Sequence, residues 1–222
     1  PMKTYGDYRQ DIVEGLFATL INNRLNEIRN GSNPPFVFAS SSHSGTFSRS
    51  KKAYQSFAFT SPEDQLKALK VLLEENKRVQ EHGFLASELE RAKKSMLANI
   101  EKQYNERDKN ESGRLTGEYV RNFLEQEPFP GIAEEYKMYQ EFLPTVQLDE
   151  VNGLIKDFIH DDNRVISITG PEKEGLKKVT EEQVKEVLEE VNSTPIAAYE
   201  DEAVPTSLIA KLPSKGSIVN TT

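Results

Sequence analysis

The 222-residue sequence contains no cysteine, no tryptophan and only three histidines. Without cysteine the chain can form neither a disulfide nor a thiolate metal site. A catalytic zinc site needs about three protein ligands, usually histidines together with a carboxylate. His43, His82 and His160 are far apart in the sequence, and neither HExxH nor HxxEH occurs. The residues therefore predict no metal site in this chain.

Long apolar runs are absent as well. The longest extend over only a few positions, so no segment is long enough to cross a bilayer. The formal net charge of −8 at pH 7 argues against binding the nucleic-acid backbone through bulk electrostatics. The composition therefore predicts neither a membrane span nor a nucleic-acid partner, and the length suits one large globular domain.

Other catalytic patterns are also missing. The chain has no G-x-S-x-G nucleophile elbow and no P-loop. His82 and His160 are predicted at helix C-termini, where an imidazolium is stabilised by the helix dipole. His43 is predicted in a solvated, serine-rich turn, and the pair Glu74-Glu75 on an exposed helical face. Taken residue by residue, the sequence predicts no catalytic residues.

Helical periodicity dominates most of the chain. Apolar positions three and four residues apart predict a helix over 7–29, which the stop signal Asn30-Gly31 ends. Further helices are predicted over 63–82, 84–104, 114–128, 131–144, 148–159 and 181–192. Capping-box spacing marks the starts of two of them, at Ser87–Glu90 and at Thr180–Gln183.

Strand patterns are few. Alternating segments over 35–42 and 53–60 predict an antiparallel pair joined by a polar turn. The face that carries Phe57 and Phe59 is expected to be buried. A third, buried strand is predicted over Val165–Thr169.

This order of elements predicts an α+β fold in which helices cover one face of an antiparallel sheet. Two or three strands make a poor sheet for so many helices, so we expect a first strand, preceding residue 1, to be missing from this chain. From Ser193 onward three prolines occur and the helical periodicity ends. We therefore expect one domain over 1–192 and an extended linker over 193–222 that leads to a next domain.

Three segments taken together resemble a known protein family, although each of them alone would be a weak signal. The first is "LFATLINNRLNEIR" with the loop and aromatic strand entry that follow it. The second, from "FAFTSPED" through "HGF" to "ELERAK", is the most specific, because strand, turn and two helices follow at matching lengths. The third is "ITGP" with the ending "LIAKLPSKGSIV". Together, over roughly residues 8–219, they resemble the insulinase/pitrilysin-type zinc metallopeptidase family, which shares its fold with mitochondrial processing peptidase.

The resemblance implies a place in a larger protein. Members with four homologous α+β domains carry the zinc motif HxxEH in the first, and the later domains form the wall of a chamber that holds peptides. Because HxxEH is absent here, the chain looks like a non-catalytic copy, and its ending resembles the connector after the second domain. The expected partners are other domains of the same chain and peptide substrates, with zinc in the parent's first domain. The family's habits in bacteria favour a periplasmic or otherwise exported location.

The resemblance also singles out Arg29 and Phe36. In the C-terminal half of such enzymes, an arginine and a tyrosine seven residues later follow this same helix and are thought to help bind substrate or stabilise the transition state. Phe36 stands at the tyrosine position and has no hydroxyl with which to donate a hydrogen bond. Arg29 also has a purely structural interpretation, as a cation near the last carbonyls of its helix.

Three hypotheses follow. In the first, the parent is a zinc endopeptidase and this domain shapes its chamber, which predicts an exposed apolar face or strand edge where the first domain docks. In the second, the chain is an interaction or assembly module from a catalytically inactive relative. In the third, it is an unrelated peptide-binding domain whose sheet is complete by itself.

Overall fold

The computed structural model describes residues 3–45, 51–109, 112–172, 175–176, 178–201 and 216. Its elements are α1 (Tyr5–Arg29), β1 (Phe38–Gly45), β2 (Lys52–Phe59), α2 (Gln65–His82), α3 (Ala86–Asn105), α4 (Ser112–Glu125), α5 (Ile132–Phe142), α6 (Leu148–Gly153), α7 (Ile155–Phe158) and α8 (Glu181–Ser193). The α+β class is confirmed: the described part is mostly helical and holds one two-stranded antiparallel sheet. None of its helices combines the length and the hydropathy that a membrane span requires.

Helix α1 runs through the centre of the domain. The Thr4 hydroxyl accepts a hydrogen bond from the Asp7 backbone N–H at 3.1 Å. The Asp7 carboxylate accepts in return from the backbone N–H groups of Lys3 and Thr4, which holds its pKa below the ordinary value. The predicted apolar stripe is confirmed, since the buried hydrophobic side chains of α1 are Ile12, Val13, Leu16, Phe17, Leu20, Ile21 and Leu25.

The main core forms where α1 meets α2, α3, α6 and α7. Phe17 lies near its middle and packs edge-on against Phe84 and Phe158, with ring centroids 5.2 and 5.0 Å away. A smaller cluster, at the end of α1 and the start of the sheet, joins Leu25, Phe36, Ala39, Ala68 and Leu72. This cluster anchors the start of β1 to α1 and α2.

The expectation about the buried side of β2 was wrong. Strands β1 and β2 pair from Phe38↔Phe59 to Gly45↔Lys52, and the predicted turn at 46–50 lies outside the described residues. The helices contact the opposite face, which carries Tyr54 and His43 as well as Ser41 and Ser56, whose hydroxyls share a hydrogen bond at 2.9 Å. Phe57 and Phe59 point the other way and are 56% and 62% exposed. The buried side of β2 is thus decided by which face the helices pack against, and not by the hydrophobicity of the strand residues alone.

The third strand, predicted over Val165–Thr169, is absent. The segment has no strand pairing, and Val165 is 91% exposed. Its exposure still alternates, with Ile166 and Ile168 half-buried, as in a strand with one covered face. The Thr169 carbonyl accepts a hydrogen bond from the Gln65 side chain at 3.0 Å, which holds the end of the segment beside α2. The alternating pattern therefore does not form a strand here, because no described strand lies beside the segment to pair with it.

The two predicted capping boxes had opposite outcomes. At α8 the box is confirmed: Thr180 N–H donates to the Gln183 side chain at 3.0 Å, and Gln183 N–H donates to Thr180 Oγ1 at 3.3 Å. At α3 the prediction of Ser87 and Glu90 was wrong, because the helix begins earlier and Glu88 accepts from the Leu85 N–H at 2.8 Å. Glu88 takes the capping position because its carboxylate also binds a buried cation.

That cation is Arg24, which is 2% exposed. Its Nε and Nη2 each lie 2.7 Å from a Glu88 oxygen, its Nη1 donates to Glu75 at 3.2 Å, and its Nη2 also donates to the Gly83 carbonyl at 3.1 Å. The expectation that Glu75 lies on an exposed face was therefore wrong, since its carboxylate is buried and also accepts from Arg78 at 3.0 Å. One guanidinium joins α1, α2 and α3.

Replacement of Arg24 by methionine is expected to destabilise the domain by about 3–5 kcal/mol, because it leaves two buried carboxylates without their shared cation. The free energy of unfolding in urea measures this. Arg9→Met is the matched control. Arg9 also lies on α1 and forms an ion pair with one glutamate, Glu150, at 2.7 Å, but this pair lies near the surface. Its loss is expected to change stability by about 0–1 kcal/mol. Equal effects of the two substitutions would contradict a structural role for the buried network.

Candidate interaction surfaces

The two residues singled out from the resemblance lie in different environments. Arg29 occupies the last turn of α1, is half-buried, and makes no hydrogen bond or ion pair with any residue that the structure describes. Phe36 is 2% exposed and packs in the smaller core cluster beside Leu25 and Leu72. The Arg29 guanidinium thus has no ion-pair partner among the described residues, and Phe36 is a core residue.

The three histidines are not brought together. His82 ends α2, and its Nε2 lies 2.9 Å from the Ile196 carbonyl. His160 follows α7, with its Nε2 3.0 Å from the Asp157 carbonyl. Within the described ranges, no three histidine, aspartate or glutamate side chains lie close enough to hold a metal ion.

The expectation that His43 is solvated in a turn was wrong. It lies in β1 and stacks on the Phe158 ring, with ring centroids 4.0 Å apart. Its Nδ1 lies 3.2 Å from a Glu14 oxygen that also accepts from Lys52 Nζ at 3.1 Å. Burial raises the pKa of Glu14, but hydrogen bonds from Lys52 and His43 outweigh it and lower the pKa below the ordinary value. This cluster ties both strands to α1, and sequence spacing gave no hint of it.

The outward side of the sheet carries an aromatic face formed by Phe38, Phe57 and Phe59. All three are exposed, and the rings of Phe38 and Phe57 lie 6.4 Å apart, centroid to centroid. The neighbouring Val37 is exposed too. Fully burying a side chain of this kind is worth about 1.5–3 kcal/mol. Three such rings on one small sheet are therefore a candidate binding surface.

The two edges of the sheet differ. On β1, the Asn22 side chain donates to the Ser41 carbonyl and accepts from the Ser41 N–H, both at 2.8 Å. These bonds replace those of a neighbouring strand at that position. Strand β2 pairs with β1 alone among the described residues. An additional strand therefore meets less obstruction beside β2.

A second apolar surface is the stripe of α4, formed by Leu115, Tyr119, Val120, Phe123 and Leu124. These positions recur at three- to five-residue spacing and fall on one side of the helix. All five side chains are exposed. The opposite side of α4, with Gly117, Glu118 and Asn122, is half-buried. The helix thus turns its apolar side away from the domain.

The segment that follows α8 is held against the domain as far as residue 201. The Arg78 guanidinium donates to the Ala197 carbonyl, and Arg91 binds Asp201 at 2.6 Å. The Tyr199 hydroxyl donates to Glu27 at 2.8 Å, while its ring covers the Arg24 guanidinium at 4.3 Å. The rest of the predicted linker, apart from residue 216, lies outside the described residues.

Two solved structures have a similar fold. The first half of the periplasmic protease PqqL from Escherichia coli superposes with a TM-score of 0.67 at 15% identity, over 90% of this chain and 43% of that one. A predicted insulinase family protease from Yersinia pestis gives 0.66 at 11% identity, over 86% and 41%. These superpositions show an insulinase-like fold.

The sequence itself is similar to a curated protein of Arabidopsis thaliana described as "Zinc protease PQQL-like". Identity is 27% over 223 residues, which cover 99% of this chain and 20% of that protein. The chain is thus similar in sequence and in fold to the PqqL-like, insulinase-family zinc proteases. No family model matches it. The resemblance in the sequence is thereby confirmed at the level of the family, for a chain that spans only a fraction of its relative.

Replacement of Glu14 by glutamine is expected to lower stability near neutral pH and to have progressively less effect in acid. A carboxyl whose pKa is lowered in the folded state stabilises above its unfolded value, 4.5 here, and loses that contribution as pH falls through the folded pKa. Urea unfolding of both proteins across this range measures the difference. In a Lys52→Met background the effect of Glu14→Gln should shrink, and an unchanged effect would rule out the coupling.

Proposed function

We propose that this chain is a non-catalytic domain of a zinc metalloendopeptidase and forms part of the wall of its peptide-holding chamber, beside a domain that carries HxxEH. Its own sequence lacks that motif. Membership of the PqqL-like zinc proteases supports a proteolytic parent, and coverage of 20% of the Arabidopsis relative leaves room for a separate catalytic domain.

The observation that carries the proposal is the aromatic face. Phe57 and Phe59 are two residues apart on β2, and Phe38 faces them from β1. Side chains at alternate positions of an extended peptide have the same two-residue period. A surface of this kind binds peptides through shape and burial rather than through one sequence.

An unpaired extended segment supports an additional strand supplied by the parent chain. The segment 164–169 is extended and alternates in exposure, yet has no strand beside it. A strand supplied by a segment outside this chain would give it a partner and would cover Val165. We include this missing strand in the proposal.

The place of the domain within the parent belongs to the same proposal. The match to the first half of E. coli PqqL supports a position in the N-terminal half. We place the chain there as the second domain because it lacks HxxEH. The contacts of Tyr199 and Asp201 support a connector that follows the domain surface before it leads to the next domain. Within this arrangement, the Arg29 guanidinium, which has no ion-pair partner in the described part of the chain, is a candidate contact for a peptide carbonyl or carboxylate.

Zinc content and cleavage of a quenched fluorogenic peptide test the proposal. The purified chain alone is expected to hold no zinc and to cleave nothing, whereas the parent protein holds zinc and cleaves. In the parent, Phe57→Ser is expected to raise KM about tenfold or less with the zinc content unchanged, since about 1.4 kcal/mol of lost binding corresponds to a factor of ten.

Tyr5→Ser is the matched control, because it removes another exposed aromatic ring, on α1 instead of the sheet. An equal rise in KM for both variants would argue against a peptide-binding role for the aromatic face. Zinc and activity in the isolated chain would overturn the proposal. A parent without HxxEH, zinc or activity would favour the assembly module.

A further inference from the structure

The segment that follows α8, residues 194–201, is held against α2 by its own backbone. We call this segment the strap. Three side chains of α2 reach its carbonyl groups. The pairs are Lys77 with Thr194 at 2.8 Å, His82 with Ile196 at 2.9 Å, and Arg78 with Ala197. Because these contacts are made to backbone carbonyls, they hold the strap in place without burying its side chains.

Two side chains fasten the far end of the strap. Asp201 forms an ion pair with Arg91 at 2.6 Å. Tyr199 donates its hydroxyl to Glu27 at 2.8 Å, and its ring covers the Arg24 guanidinium at 4.3 Å. None of the eight strap residues is buried. Polar contacts near the surface each contribute little to stability, so the strap is held less firmly than the helices beneath it.

The buried network beneath the strap is complete without it. Within the described residues, the acceptors of Arg24 are Glu75, Glu88 and the Gly83 carbonyl, which belong to α2, α3 and the loop between them. When Tyr199 leaves, water replaces one ring, and each of these hydrogen bonds of Arg24 keeps its acceptor. Lifting the strap therefore leaves no buried donor unpaired, and the helices remain folded.

We propose that the strap is a conformational device that opens from the surface of α2 and α3 as one unit while the helices stay folded. Asp201 and Tyr199 lie only two positions apart on an extended chain, so their contacts are lost together. Most contacts of the strap involve a charged side chain near the surface. Salt weakens such contacts and therefore favours the open state.

Release of the strap changes the reach of the connector. The inference rests on the proposed function in that the chain after α8 leads to a next domain. With the strap docked, that path leaves the domain at residue 201, and with the strap open it leaves at residue 193, where α8 ends. The eight freed residues span at most about 26–29 Å when extended. The strap thus stores a length of connector that the domain holds or releases.

Limited proteolysis of the parent protein with chymotrypsin tests the strap. Chymotrypsin accepts aromatic residues in its specificity pocket. The docked strap withholds the Tyr199 ring, so the rate of cleavage after Tyr199, read from fragment masses, follows the open population. Cleavage after Phe17, which is 1% exposed in the core, reports unfolding of the whole domain. The cut after Tyr199 is expected to be on the order of 100-fold faster than the cut after Phe17.

Arg91→Met removes the ion pair with Asp201. It is expected to raise the rate of the Tyr199 cut about two- to fivefold, as the loss of one exposed ion pair does, and to leave the core cut unchanged. Arg9→Met is the matched control, because it breaks an ion pair of the same kind, with Glu150, that involves no strap residue. An increase from about 0.1 to about 1 M salt should accelerate the Tyr199 cut less in Arg91→Met than in the wild type. A short tyrosine peptide corrects for the effect of salt on chymotrypsin itself.

Equal rates of the two cuts would overturn the inference, because the strap would then open only when the domain unfolds. An unchanged Tyr199 cut in Arg91→Met, or an equal rise in Arg9→Met, would overturn it as well. Asp201→Asn removes the same ion pair and replaces Arg91→Met if that variant does not fold. Zinc content and peptide cleavage are measured on the same samples. An active parent with equal cuts contradicts the strap alone, and an inactive parent with the expected cuts contradicts the proposed function alone.

Discussion

The buried guanidinium of Arg24 is the interaction on which the rest of the domain depends. Taken out of water, it must find a partner for every N–H group, and the fold supplies Glu88, Glu75 and the Gly83 carbonyl. These acceptors belong to two helices and the loop between them. Tyr199 then closes the remaining side. The relative positions of three helices and of the segment after α8 follow from the requirement to satisfy one charge.

The sheet is limited by a different constraint. Two strands are too few to bury both faces, and the helices cover only the side that carries Ser41, Ser56 and Tyr54. Asn22 closes one edge of β1 at Ser41, while Glu14 holds the far end of the hairpin through His43 and Lys52. The helices therefore fix one face of the hairpin in place, while its aromatic face remains exposed. The segment 164–169 is likewise extended but pairs with no described strand.

In the function proposed above, this domain contributes to its parent through its surfaces. The aromatic face has the two-residue period of an extended chain, and the α4 stripe has the spacing of a helix that packs against a neighbour. These are different kinds of recognition, suited to a peptide and to a folded domain. Both surfaces agree with our proposal of a domain that shapes a substrate chamber while another domain carries the catalytic residues.

Local patterns were sufficient to predict the helices, the two paired strands and the family. The 3.6-residue period and the stop at Asn30-Gly31 are properties of a few neighbouring residues, so α1 could be predicted from its own sequence. The capping pair at Thr180 was predicted for the same reason, while the pair at Ser87 failed because Glu88 is drawn to Arg24, which comes from another helix.

By itself, then, the sequence determined which segments are helical, the absence of the zinc motif and the resemblance to insulinase-type proteases. Only the tertiary structure decided which face of β2 is buried, that Glu75 and His43 have partners, and that Val165–Thr169 remains unpaired. Each of these depends on what a distant segment places opposite the residue. Periodicity shows that a strand has two faces or a helix a stripe, but burial is assigned by the neighbour that packs there.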